Sequence, residues 1–376
     1  MHSVGLLEKV ALIPKILALP IVLFYTALIS RFSTALRKKR FNRLLFEASI
    51  RYLVGTTTPG QIQWAVGPTV DVYKKWARKR RLEPVLEDVP DSGRKLMWIG
   101  SKEAEKVVFY VHGGGFIIPV SDFMFTFWRY VQREYVKQTG KDDFAIVCME
   151  YSLHPHPFPT QLREMIHALS HVLSTSRASP STIHLAGDSA GANLVLQFIS
   201  HALHPLPSTD APPSPLIVLN QRVRGTLLIS PWLSLDDTTP THTQNDVGDC
   251  LSAHTMTRGG VFYLDGLDSS RIPYVKVLSK VAGERWFEGV EKVTERVFVT
   301  VGGAECLLGD GVQVYERIKE ATKGKEGVFE VKVDVEEDAV HEDMMVEFGA
   351  GGKKLTTAGH KIVEWLIEGY KTGSSS

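Results

Sequence analysis

Cysteine is scarce in this chain: three in 376 residues, at Cys148, Cys250 and Cys306. They are too few for a disulfide framework and too far apart for a CxxC metal motif, so a stapled secreted scaffold and a zinc ribbon are excluded. A charge excess is lacking too, with 43 Lys and Arg against 42 Asp and Glu. None of the four asparagines (Asn42, Asn193, Asn220, Asn245) begins an Asn-x-Ser/Thr acceptor, and there is no internal repeat. What is present is ordinary for a globular protein, 44% hydrophobic and 23% charged, which excludes disordered, collagenous and low-complexity classes. The length suits one large domain with insertions or two smaller ones.

The neutrality is a cancellation. Residues 1–81 hold 15 Lys and Arg against 3 Asp and Glu, a net of +12, and the remaining residues carry −11. Within this basic arm Val10–Ser30 is apolar except for Lys15 and the small polar Thr26 and Ser30, and its 21 residues just suffice to cross a bilayer core of about 30 Å. Pro14 and Pro20 should kink it, and Lys15 must snorkel or pair. A cleaved signal peptide fits poorly, because the run leads into Arg31, Phe32 and Arg37–Arg40 rather than a small-residue cleavage site. A buried terminal helix without a polar face would be unusual. The expectation is a membrane anchor over residues 1–45 with its basic flank, placing the protein at a membrane, the endoplasmic reticulum, with the body on the cytosolic face by the positive-inside rule. The second basic run, Lys74–Arg81, lacks any aromatic platform or recognition-helix pattern, so nucleic acid is not an expected partner and a solvated or lipid-facing helix is.

From about residue 95 short β-rich runs alternate with helix-like stretches. Strands are predicted at Lys95–Gly100, Lys106–His112, Phe144–Tyr151, Ile183–Asp188, Gly225–Ser230, Val297–Val301 and Phe329–Val335, with crossover helices at Gln161–Leu173, Ala190–Ala202 and Gly311–Thr322. That order implies an α/β fold: a mostly parallel central sheet with helices on both faces. The first two runs are expected to pair as an edge hairpin. Residues 46–94 read as an N-terminal segment and 95–371 as the main domain. Leu233 to about Glu291 is rich in turn residues and reads as a helical cap or insertion, His204–Pro215 as an exposed loop, and 372–376 as a frayed tail.

Two motifs carry chemistry. Gly187-Asp188-Ser189-Ala190-Gly191 sits between the strand-like IHLA and the helix-like ANLVLQFIS. A nucleophile on a tight strand-to-helix turn needs small neighbours two positions away, and such a turn aims a helix N-terminus at the serine. His112-Gly113-Gly114-Gly115-Phe116 follows the apolar strand VVFYV. Three consecutive glycines contribute no packing, but they let N–H groups converge on an oxyanion. No GxxxxGK[ST] or GxGxxG follows, which argues against a phosphate cradle. The reading is a serine nucleophile at Ser189 with an oxyanion hole from Gly113, Gly114, Gly115 and Ala190. The base must follow the serine in a loop after the last strand, and His341 lies there.

With HGGGF and GDSAG in hand, the chain resembles the hormone-sensitive-lipase-like branch of α/β-hydrolase esterases, which includes arylacetamide deacetylases and fungal steryl-acetate hydrolases. The resemblance spans about Lys95 to Lys371; Tyr151–Pro155 and Phe158–Thr160 look like that branch's Tyr-Arg-Leu-Ala-Pro-Glu…Phe-Pro-Ala segment without its Arg and Glu. It implies an α/β-hydrolase fold with a helical cap, His341 as the base, and an acid near residue 305. There the branch has Asp-x-Leu-x-Asp and this chain has Glu305 at the first Asp, with Asp310 as the alternative acid. It implies hydrolysis of a short acyl ester, acetyl foremost, of a hydrophobic small molecule, with no metal or organic cofactor. Amide (arylacetamide) deacetylation and a non-catalytic binder on the same scaffold are the alternatives. Trp64, Trp76, Phe123, Phe127, Trp128, Trp232, Phe262 and Tyr263 are the aromatics expected near the pocket.

Overall fold

The protein is described here by a computed structural model covering residues 4–90, 92–207, 219, 221–236 and 239–371. The frayed-tail expectation at 372–376 and most of the His204–Pro215 loop lie outside these residues. Eight strands, β1 (Val85–Val89), β2 (Arg94–Ile99), β3 (Lys106–Val111), β4 (Phe144–Met149), β5 (Ile183–Asp188), β6 (Gly225–Ile229), β7 (Arg296–Gly302) and β8 (Glu330–Glu336), form one sheet. Its order is β1-β2-β4-β3-β5-β6-β7-β8. Only the β1–β2 and β2–β4 pairs are antiparallel.

Each predicted strand is present, but the expected edge hairpin is not. β2 pairs with β4, not β3, and its hairpin partner is β1, inside the stretch read as an N-terminal segment. β1 does not read as a strand in the sequence because Glu87 and Asp88 occupy two of its five positions. Such charges lower β-propensity and are also what protects a sheet edge from further pairing.

The central strands are apolar without alternation because both faces are covered. Val107, Phe109 and Val111 face one core with residues of α7 (Thr160–Thr175), α8 (Ala190–Leu203) and α12 (Leu308–Ala321). Val108 and Tyr110 face the other, with α5 (Thr69–Lys79), α6 (Asp122–Thr139) and α14 (Thr357–Lys371). The turn-rich insertion holds no strand among the described residues; it carries α9 (Pro240–Asn245), α10 (Ala253–Leu264) and α11 (Ile272–Val275). Between β8 and α14 lies α13 (Asp343–Gly349).

Ahead of the sheet come α1 (Leu6–Val10), α2 (Ile13–Ile29), α3 (Phe41–Thr56), α4 (Pro59–Val66) and α5. The apolar stretch Leu6–Ile29 is long enough to cross a membrane, and only 6% of its apolar window is buried, so it is not a core helix. Lys15 does pair: its Nζ donates to the Thr56 carbonyl at 2.6 Å and to Gln61 Oε1 at 2.8 Å, which docks α2 on the body. The basic flank pairs with carboxylates: Lys38 meets Asp338 at 3.1 Å, Lys39 meets Glu47, Arg40 meets Glu347, and the buried Arg43 meets Glu47, Asp343 and Glu347. Lys38, Arg40 and Arg43 thus reach carboxylates of the body, while Lys39 pairs with the arm's own Glu47. In the second basic run, Tyr73, Trp76 and Ala77 are buried while Lys75, Arg78 and Lys79 face outward, giving α5 one apolar and one basic side.

Candidate active site

Ser189 stands at the turn from β5 into α8 with φ 49° and ψ −116°, a strained conformation for a non-glycine residue. The elbow closes only because its flanks lack side chains. A Cβ on Gly191 would lie 2.0 Å from the Val111 carbonyl oxygen, and one on Gly187 2.4 Å from that of Gly191. The turn lifts the hydroxyl off the sheet and sets it at the start of α8, whose first N–H groups lack intrahelical acceptors.

His341 arrives from the loop between β8 and α13. Its Nε2 lies 3.0 Å from Ser189 Oγ. Glu305, in the turn after β7, places Oε2 3.8 Å from His341 Nδ1, ion-pair rather than hydrogen-bond range. Catalytic contacts of this kind tend to tighten when substrate binds. Asp310 is elsewhere: its Oδ2 accepts from the N–H groups of Leu233 (2.7 Å) and Ser234 (2.8 Å) and from Ser234 Oγ (2.9 Å), clamping the start of α12 to the segment after β6.

Of the glycines, Gly113 needs correcting as an oxyanion donor. Its N–H is already donated to Asp188 Oδ2 at 2.9 Å, and its carbonyl contacts His112 Nδ1 at 2.7 Å. Those two bonds fix the loop, leaving Gly114 and Gly115 beside Ser189 on the pocket wall. Ala190 opens α8 next to them. Tyr110 Oη donates to the other Asp188 oxygen at 2.5 Å. His112 stacks on Tyr151 with centroids 4.4 Å apart, and burial pushes its pKa down to about 4, so it stays neutral.

Three supporting residues were not legible as motif members. Ser230 Oγ donates to Glu305 Oε2 at 2.7 Å and accepts the Glu342 N–H at 3.1 Å. Asp249, from the insertion, accepts the His341 N–H at 3.0 Å and the Cys306 N–H at 2.8 Å, tying the histidine loop to the acid loop. Glu342 places Oε1 3.5 Å from His341 Nε2 and lies against Asp188. Ser230 sits at the end of a parallel strand, where functional residues gather; nothing in DVGDC marks Asp249.

The site is electrostatically tense. Burial lifts the Glu305 pKa to about 7, against the pull of His341. Burial would lower His341, but the Glu305 carboxylate, with Asp249 and Asp188 behind it, raises it above 6.5. Glu342 is pushed well above the usual carboxyl range by burial and then by Asp188, so it is held as the neutral acid. A carboxyl raised in the folded state costs stability as pH climbs from its unfolded pKa toward its folded one. Glu342→Gln is therefore expected to raise Tm at pH 8 and to leave it unchanged at pH 4. A variant that melts no higher than wild type at pH 8 would contradict this assignment of the proton.

Ser189, His341, Gly114 and Gly115 open on an apolar cavity of about 190 Å³. Of the expected aromatics Phe123, Trp232 and Phe262 line it, Tyr263 stacks on Phe116 beside it, Phe127 and Trp128 are sheet core, and Trp64 lies outside under Lys9. Among the described residues no group of three or more His, Cys, Asp or Glu is placed to hold a metal.

A family model described as alpha/beta hydrolase fold matches residues 108–344. A curated esterase of Acinetobacter venetianus is 25% identical over 292 residues, covering 76% of this chain and 84% of its own. Neutral cholesterol ester hydrolase 1 of Rattus norvegicus is 27% identical over 166 residues, 42% of this chain and 37% of its own. Among solved structures, an esterase from the bacterial hormone-sensitive lipase family shares the fold with a TM-score of 0.62 at 21% identity, over 88% of this chain and 98% of that one. Matched from within β3 through the His341 loop and into α13, over more than half its length, the chain belongs to the α/β-hydrolase fold family.

Proposed function

We propose that this carboxylesterase of the α/β-hydrolase superfamily removes a short acyl group, acetyl foremost, from a hydrophobic small molecule, with Ser189, His341 and Glu305 as its triad. The observation that carries the reading is the 3.0 Å approach of His341 Nε2 to Ser189 Oγ beside two loop glycines in a small apolar cavity. His341 takes the hydroxyl proton as Oγ attacks the ester carbonyl. Glu305 orients the imidazole and stabilises its cation. The N–H groups of Gly114, Gly115 and Ala190 receive the developing oxyanion. His341 returns the proton to the leaving alcohol, an acyl-enzyme remains, and water deprotonated by His341 releases the acid.

The apolar α2 and its flank support a membrane anchor. Our reading keeps the body on the cytosolic face of the endoplasmic reticulum, although the flank's pairing with the body leaves less free charge to set that orientation. The amide reading uses the same atoms and is separated by substrate alone.

The test is an acyl series of 4-nitrophenyl esters with the matching acetanilide. kcat/KM should be highest for acetate and lower by about tenfold or more for octanoate, as a small pocket rejects added methylenes. A rate that rises with acyl length overturns the short-acyl assignment, and an anilide rate equal to the ester's favours the amidase. A folded protein that a fluorophosphonate probe does not label at Ser189 would be a binder, not an enzyme.

A further inference from the structure

Beyond Ile50, Val54, Thr57, Ile62, Ser121 and Phe123, which wall both spaces, the catalytic cavity adjoins a second one of about 570 Å³, against about 190 Å³ at the serine. Its outer wall includes Leu12 and Ile16, from the start of the apolar arm. Elsewhere on that arm Leu17, Ile21 and Phe24 are 70–73% exposed, a surface that water solvates poorly and hydrocarbon does not.

The arm's orientation fixes where this chamber opens. Lys15 near the start of α2 bonds Thr56 at the end of α3, so the two helices pack antiparallel along the body. α3 carries the buried, ion-paired Arg43 and Glu47 and cannot follow α2 across hydrocarbon. On a membrane, that packing would lay α2 in the plane of one leaflet instead of across both. Lys75 and Lys79 of α5 also line the chamber, Lys79 in a 3.7 Å pair with Asp122, and cations there attract anionic headgroups.

We propose that the second chamber is a bilayer-facing access and binding site for the alcohol half of the substrate, an extended hydrocarbon or alicyclic alcohol drawn from the leaflet beneath α2, while the small cavity holds the acyl group. This rests on the esterase reading and adds to it the source and the size of the alcohol. The volumes match the division: the smaller space contains the reacting groups, and the larger, mainly apolar one adjoins it and is walled in part by the apolar arm.

Ala65 is an exposed residue on the wall of the large chamber only, and Ile16 lines that chamber too. In the full chain, Ala65→Trp should lower kcat/KM for hexadecyl acetate in phosphatidylcholine–phosphatidylserine vesicles by about tenfold or more, by filling the space an alkyl chain needs. Hydrolysis of 4-nitrophenyl acetate, whose leaving group fits without the chamber, should stay within about twofold of wild type. Ile16→Trp should reproduce the split, and carries the test alone should the first variant not fold. In wild type, KM should fall as the alcohol lengthens from hexyl to hexadecyl. Loss of both activities together at unchanged Tm, retention of both, or a KM indifferent to alcohol length overturns the chamber. Wild type inert toward every ester overturns the esterase reading instead.

Discussion

Ser189→Ala should reduce kcat for 4-nitrophenyl acetate by about 10⁶-fold, because a triad without its nucleophile retains only what binding and the oxyanion donors supply. The fold should be unaffected. Ser189 is 6% exposed and its hydroxyl contacts His341, while the strained backbone is held by bonds that any residue makes: its N–H to the Ile229 carbonyl at 2.9 Å, and its carbonyl from Trp232 N–H at 3.2 Å. Tm and near-ultraviolet circular dichroism should therefore match wild type while fluorophosphonate labelling disappears. Turnover within tenfold of wild type would remove Ser189 from the mechanism, and with it the triad.

Glu305→Gln should cost about 10³–10⁴ in kcat, the scale at which an amide fails to hold the productive imidazole tautomer. Its pH profile is the sharper signature. In wild type Glu305 and His341 raise and lower each other, so kcat/KM should climb with pH through an apparent pKa above 6.5 that belongs to the pair. Without the carboxylate, burial, the largest single influence on His341, meets less opposition and disfavours its cation. The limb should then move to lower pH even as the plateau drops. Asp310→Asn should not move the limb, since that carboxylate is bonded to Leu233 and Ser234. An unmoved limb in Glu305→Gln, or a moved one in Asp310→Asn, would transfer the acid's role.

How far the sequence could be read follows from where each constraint acts. Strands buried on both faces write themselves as apolar runs such as Val107–Val111; GDSAG is legible because close backbone approach at Gly187 and Gly191 admits no side chain, and HGGG because Gly114 and Gly115 take positive φ. β1 was hidden because an edge strand is selected for charge as much as for pairing. A row of three glycines does not say which N–H is already taken; for Gly113, Asp188, 75 positions away, decides it. Asp249 and Ser230 were hidden for the same reason: they act through contacts between loops remote in sequence. Glu342 adjoins His341 in the chain, yet its neutral state depends on a burial that no local pattern records.

The pairing of Arg43 has a consequence for modularity. This arginine, just inside the arm, meets Asp343 at 2.6 Å and also Glu347, and both belong to the helix that begins two residues after His341. A tether that only localises an enzyme can be exchanged or cut without touching turnover. Here the segment before residue 46 supplies counter-charge to the helix that follows His341. A chain cut at that boundary would leave Asp343 without Arg43, and Glu347 without both Arg43 and Arg40.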